Sequence, residues 1–401
     1  MVTYPQEWME KLFNDFMKIK RGASPRPIER YLTKSTDGVN WIKIGDAPRF
    51  GKNITSTAEK ITPHGAVQSV SVYPGDFILS NSMSFGRPYI LNIDGCIHDG
   101  WLRLYDFQAE ANDEFLYYLL SSSYVKKQYE AFAAGSGVQN LNKEVVKKVT
   151  VHLPSLPEQE EIARTLSQFD TYIDDLAELI EKKRGIREGA VNDLVSGKDR
   201  LEGFTDEWQE STLSEIGTFL KGASLSKADI ANTGTPFILY GELYTTYNEV
   251  TYKVFRHTRK TVDEKYYSRV GDVIIPTSGE TAEEIATSTC VMIPGVILAG
   301  DLNIYRTTKM DGRFLSFVIN HVINQKISEK AQGISIVHIH AKEIGKLTVK
   351  YPSIPEQTAI ADILQAMDEE IEALEIERDK IIQIREGAMD DLLTGRVRLR
   401  V

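Results

Sequence analysis

The sequence predicts an α+β protein in which two similar globular domains are separated by a long antiparallel two-helix coiled coil, a pseudo-two-fold symmetric tandem repeat. Three observations predict it. The chain matches itself at a shift of about 196–200 residues. Two heptad-spaced stretches close the two halves of the repeat. Short linkers then dictate which helix end meets which domain.

The repeat is carried by six ordered matches. Glu7-Trp8 falls on Glu207-Trp208, and KRGAS (Gly22-Ala23-Ser24) falls on LKGAS (Gly222-Ala223-Ser224). Gly75-Asp76 before FILS matches Gly271-Asp272 before VIIP, and FLYYLL from Phe115 matches FLSFVI from Phe314. PSLPEQ at Pro154 matches PSIPEQ at Pro352, and REGAVNDLVSG at Arg187 matches REGAMDDLLTG at Arg385. Such an ordered set marks a duplication, with segments expected at 1–153 and 201–351 (globular) and at 154–200 and 352–401 (helical).

In the first helical segment Ile162, Leu166, Phe169, Ile173, Leu176 and Ile180 are spaced 4-3-4-3-4, a coiled-coil seam. Ile360, Leu364, Met367, Ile371 and Leu374 repeat it, with Arg378 at the last step. Pro157 and Pro355 suit the first helical turn, Glu158 and Glu356 favour its positive end, and Gly197 and Gly395 suit the stops. A helix of roughly 40 residues spans about 60 Å. SGKDRLEGF alone joins the first helix to the second domain, which runs straight into the second helix through PSIPEQ. The two helices are therefore expected to be antiparallel. In the globular parts Trp41–Asp46 (WIKIGD), Phe237–Glu242 (FILYGE), DFILS and DVIIP read as short strands. The stretches 115–132 and 314–330 read as amphipathic helices.

The net charge of −10 is unevenly placed. Residues 158–200 carry 11 acidic and 7 basic side chains, and residues 356–401 carry 12 and 6, so the helices hold the whole excess. The near-neutral globular parts remain free to present a local basic face. No stretch approaches twenty uninterrupted apolar residues, and the start MVTYPQEWMEKLF lacks a signal pattern, so neither membrane insertion nor secretion is expected. Two cysteines, Cys96 and Cys290, with no CxxC, fit a reducing cytoplasm.

Two similar surfaces on a spacer suit duplex DNA, whose base edges recur at fixed distances. Polar loops after apolar strands supply the candidates. They are Lys20, Arg21, Ser24 and Arg26; Asn81, Ser82, Ser84 and Arg87; and Ser136, Gln139, Asn140 and Asn142. Arg, Lys, Asn and Gln pair with base edges, and Ser with phosphates. The same residues equally cap helices and make Asx-turns. The second half offers Lys221, Ser224 and Lys227; Thr277, Ser278 and Glu280; and Ser335, His338 and His340. A different polar set on one scaffold implies a different base sequence. His338 and His340 have the spacing of two metal ligands, but without a nearby carboxylate or cysteine signature they read as solvent-facing strand histidines.

No phosphate loop, GxSxG or HExxH occurs. An enzyme would need a catalytic domain these motifs do not supply, and a pure coiled-coil scaffold would lack salt-sensitive DNA binding.

PSLPEQEEIA and PSIPEQTAIA at the helix starts, REGAVNDLVSGKDRL and REGAMDDLLTGRVRL at their ends, and RLEGFTDEW between the halves give the chain a resemblance over nearly its whole length. It resembles the specificity subunits of type I restriction-modification systems. That resemblance implies two target recognition domains reading a bipartite DNA target across an unread spacer. It implies two modification subunits that methylate adenine with S-adenosylmethionine, and restriction subunits driven by ATP and Mg. No cofactor and no active site would lie in this chain, and no individual base-contacting residue carries over. The acidic helices are then expected to dock the modification subunits.

Overall fold

Phe77–Ser80 and Asp272–Pro276 are buried along their whole length. A strand without polar alternation needs cover on both faces, so such runs become central strands. In the computed structural model, which describes residues 4–48, 51–81, 86–134, 141–333 and 337–399, each lies in the middle of a five-stranded sheet. The order in the first half is Lys18–Arg21, Trp101–Tyr105, Phe77–Ser80, Pro88–Leu91, Asn53–Ile54. In the second it is Gly217–Lys221, Leu302–Thr307, Asp272–Pro276, Thr289–Val291, Val250–Thr251. Both sheets are antiparallel except for a parallel edge strand. The duplication thus extends to topology.

A second sheet in each half pairs Val39–Ile42 in parallel with Gly95–Ile97, or Thr235–Leu239 with Ile297–Ala299. WIKIGD and FILYGE are strands only at first, and then close into single 3-10 turns at Ile44–Asp46 and Tyr240–Leu243. The cause is a carboxylate at the turn. Asp46 accepts the Lys43 backbone N–H at 2.7 Å, and Glu242 that of Leu239 at 3.0 Å.

The stretch 115–132 is not one helix but two, Asp113–Ser121 and Ser123–Ala134. Between them Ser122 is extended; its hydroxyl donates to the Leu119 carbonyl at 2.7 Å and accepts the Val125 N–H at 3.2 Å. That local alternative to the helical ladder breaks the run. The matching stretch divides into Gly312–His321 and Asn324–Ser328, with the β-branched pair Val322-Ile323 between them.

The long helices are α1 (Leu156–Ser196) and α2 (Ile354–Leu392), of 41 and 39 residues. Each begins one residue before its proline. The duplicated PEQ then acquires a physical meaning. Gln159 donates to the Pro154 carbonyl at 3.0 Å and accepts the Asn112 N–H at 2.9 Å. Gln357 does the same with Pro352 at 2.8 Å and Asp311 at 2.9 Å. The buried Glu158 pairs with Arg398, and the buried Glu356 with Arg200 at 2.6 Å. Gly197 (φ +74°) and Gly395 (φ +69°) end the helices in the left-handed region. Around them Asp199 N–H reaches the Asp193 carbonyl at 3.1 Å, and Val397 N–H the Asp391 carbonyl at 3.3 Å.

Packing groups the chain into two units, residues 1–177 with 376–401 and residues 178–375. Each unit therefore joins one globular part to stretches of both long helices. Rising numbers on α1 meet falling numbers on α2, so the helices are antiparallel within each unit. Asp170 meets Arg385 (2.6 Å) and Tyr172 meets Glu377 in the first; Lys183 meets Glu370 (2.6 Å) and Arg187 meets Asp368 (2.7 Å) in the second.

The seam positions divide in role. Ile162 and Leu166 join the core around Phe115, Leu392 and Leu393, and Ile360 and Leu364 join that around Phe314, Val191 and Val195. Leu176, Ile180 and Ile371 are buried, whereas Phe169, Ile173, Met367 and Leu374 are half-buried. Arg378 turns to Asp379 at 2.9 Å instead of packing.

Candidate nucleic-acid interface

In the first unit the polar segments converge on one turn, His98-Asp99-Gly100, ahead of the strand Trp101–Tyr105. A hollow of about 340 Å³ there is lined by Arg21, Asn81, His98, Asp99, Leu141 and Asn142. A wider one of about 940 Å³ adjoins it through His98 and includes Ser24, Arg26, Trp41 and Lys43. Asp99 is the hub. Its carboxylate accepts Ser24 Oγ at 2.8 Å and pairs with Arg26 at 3.2 Å. Its carbonyl accepts Arg21 Nε at 3.2 Å and the Asn81 amide at 2.8 Å. The Ser24 hydrogen bond, against the effect of burial, holds the Asp99 carboxyl below its ordinary range, with His98 and Arg26 assisting. Burial pushes the neighbouring His98 down, against the pull of Asp99.

Several expectations need correction here. Lys20 and Arg21 are not in a loop but on the strand Lys18–Arg21, since their backbone pairs with Arg103 and Leu102. Both side chains are nonetheless exposed. Asn81 is buried and braces the hub rather than reaching outward. Asn142 caps the helix Lys143–Lys147, accepting the N–H groups of Glu144 and Val145 at 3.0 Å. Arg87 lies over the Tyr89 ring, 5.1 Å from its centre. Ser82, Ser84, Ser136, Gln139 and Asn140 lie outside the described residues.

In the second unit two adjoining hollows share Lys221 and Asp301. One, of about 850 Å³, includes Ser224, Lys227, Tyr240 and Arg256. The other, of about 450 Å³, includes Thr277, Asn303, His338 and His340. Asp301 takes a role like that of Asp99: it accepts Ser278 Oγ at 2.9 Å, and its carbonyl accepts the Thr277 N–H at 2.8 Å. Ser278 is buried and so belongs to the wall. Glu280 is exposed but lines neither hollow. Both histidines are exposed; His338 is on a strand, whereas His340 precedes the helix Ala341–Gly345. Ser335 lies outside the described residues. Among the described residues no group of three or more His, Cys, Asp or Glu is placed to hold a metal, and no helix is long and apolar enough to cross a membrane.

Sequence reasoning missed the two hubs and Arg256. Asp99-Gly100 and Gly300-Asp301 are turn dipeptides directly ahead of matching strands, and that signal could have found the hubs. Arg256 stands alone between two unremarkable strands, and no spacing marks it.

Comparison with known proteins bears on the fold and the family. A specificity subunit of the MjaVIII type I restriction enzyme of Methanocaldococcus jannaschii is 21% identical, with 99% of this chain and 94% of that protein covered. The MjaX specificity subunit described as putative in the same organism is 25% identical over 99% and 95%. Among solved structures, the HsdS subunit from Thermoanaerobacter tengcongensis superimposes with a TM-score of 0.55 at 16% identity, covering 98% of each chain. The S subunit from M. genitalium gives 0.56 at 17%, covering 96% of each. The family described as type I restriction modification DNA specificity domain matches residues 5–183 and again 205–384. With that domain present twice, the chain belongs to the type I restriction-modification DNA specificity family and is one of its specificity subunits.

Proposed function

We propose that each unit reads one half of a bipartite duplex target, and that α1 and α2 fix the distance between the halves and dock the methyltransferase subunits. The observation that carries this reading is the pair of matching walls with different linings. One scaffold places Arg21, Ser24 and Arg26 around Asp99 in the first unit, and Lys221, Thr277 and His338 around Asp301 in the second. Exposed cations beside hydroxyl and amide groups suit phosphates and base edges together. The two half-sites therefore differ in sequence.

Docking is supported by the helices themselves. Tyr172, Ile376 and Ile384 in the first unit, and Leu179 and Ile186 in the second, stand exposed among the acidic side chains. Apolar groups on a charged face favour a protein partner over DNA. The chain acts without catalysis of its own in the cytoplasm. S-adenosylmethionine belongs to the modification subunits, and ATP and Mg to the restriction subunits.

Mapping the methylated adenines in DNA modified by this chain together with its methyltransferase tests the reading. Two short defined blocks flanking a fixed undefined spacer are expected. A continuous motif would overturn the assignment of one half-site to each unit.

A further inference from the structure

The two recognition domains differ at one matched position. Each carries a carboxylate, Asp46 or Glu242, on the 3-10 turn after its inner strand, and each carboxylate spends one oxygen on the backbone N–H three residues earlier. The other oxygen is used differently. Asp46 takes the Ala58 backbone N–H at 2.9 Å. Glu242, one methylene longer and only 5% exposed, stands 2.9 Å from Arg256 Nε. Strand pairing fixes the correspondence. Trp41 lies opposite Glu59 in the first domain, and Phe237, its counterpart, donates its N–H to the Arg256 carbonyl at 3.0 Å in the second. Glu59 is held by Lys43 at 2.8 Å. The register position that holds a carboxylate, Glu59, in one domain thus holds a guanidinium, Arg256, in the other.

Arg256 opens onto the hollow that also holds Lys221, Ser224 and Lys227. Its side chain is 41% exposed, and Glu242 is its one charged partner among the described residues. A guanidinium anchored through Nε has little rotamer freedom left to lose, and its planar fork still matches a two-acceptor edge. Guanine offers such an edge through O6 and N7 in the major groove. The lysines beside it, without a charged partner among the described residues, suit phosphates, which need a charge but no fixed plane.

We infer that Arg256, positioned by Glu242, is a specificity-determining residue of the second recognition domain and selects a guanine. The inference rests on the proposed DNA-reading role and adds the residue and the base. In the first domain the place held by Glu59 cannot accept that edge, so the guanine belongs to one half-site only.

The full chain, wild type and as Arg256→Lys and Arg256→Gln, is used to select binding sequences from a randomised duplex pool, with thermal melting of each protein alongside. In both variants one guanine position should lose a preference of roughly ten- to a hundredfold, with Arg256→Gln drifting toward adenine and the other half-site unchanged. Glu242→Gln should weaken the same position. Variants that melt like wild type yet select its motif would overturn the inference. A uniform loss of affinity across all sequences would overturn it too, because it marks a phosphate contact. Arg256→Lys keeps the charge, so the test survives if Arg256→Gln fails to fold. A wild-type chain that selects no two-part motif removes the underlying reading instead, an outcome distinct from a motif the variants leave unchanged.

Discussion

Arg187 stands between two carboxylates, with Nη2 2.9 Å from Glu249 and Nε 2.7 Å from Asp368, and His321 Nε2 lies 2.6 Å from the other Glu249 oxygen. The arginine comes from α1, Asp368 from α2 and Glu249 from the globular part, so the cluster ties the second recognition domain to both helices. Burial alone would raise the Glu249 carboxyl, but the His321 hydrogen bond and the Arg187 charge outweigh it and hold the group down at about 2. A depressed carboxyl stabilises the fold above its ordinary range, and the benefit drains away as pH falls through the folded value. Asp368 titrates in the opposite sense, because burial raises it despite Arg187. Glu249→Gln is therefore expected to cost about 3 kcal/mol at neutral pH, with the gap to wild type closing between about pH 5 and 2. Denaturant titrations across that range check it, and a gap independent of pH would sink the idea. Arg187 was visible in the sequence as the head of a duplicated REGA motif. Its partner was not, because Glu249 lies 62 residues away and no periodicity connects the two. Polar residues were legible as candidates for the same limited reason. Ser24 and Asn81 could be named, but that both turn inward to hold Asp99, one at its carboxylate and one at its carbonyl, is a long-range pairing that no local pattern shows.

At the level of elements, the long helices were the most readable part of the chain, because heptad spacing and end signals are local. Gly197 and Gly395 fall one and three residues beyond the last residues of the helices, Ser196 and Leu392. What lies against them was not readable. A Cβ at Gly197 would meet the Trp208 ring at 3.1 Å, and one at Gly395 would meet Pro5 at 2.5 Å. Both positions also have positive φ. Gly197→Ala is expected to cost about 1–2 kcal/mol and Gly395→Ala more, since its Cβ would come to 2.5 Å of a neighbour rather than 3.1 Å. Equal melting points for the two variants would show that backbone strain alone decides. The short helices were misjudged for a related reason. The pattern from Phe115 to Phe132 is continuous in hydrophobicity, yet the Ser122 hydroxyl supplies a competing hydrogen bond that periodicity does not register. The mixed strand pairings were beyond reach as well, since the partners Ile42 and Ile97 are distant in sequence.

At the scale of the whole molecule, the duplication and the short linkers were enough to order the parts, whereas the grouping into units was not. The chain passes between its units after Ala177 on α1 and again after Glu375 on α2. In the proposed reading these crossings lie in the spacer, so lengthening both helices there should lengthen the unread gap in the target. Seven residues inserted into each helix preserve the heptad seam to within about 20° and add about 10 Å. At ~3.4 Å per base pair this is about three base pairs of spacer. Four residues in each would add ~6 Å but leave a mismatch of about 40° between the seams, and should weaken binding as well as shift the spacing. An insertion into one helix alone takes the pairs Lys183–Glu370 and Asp170–Arg385 out of common register and should destabilise the fold. Methylation mapping with the paired seven-residue variant decides the matter. A gap widened by about three base pairs with both half-sites intact is the expected result. An unchanged gap would mean that the helices do not measure the target, and that spacing is set by the partner subunits instead.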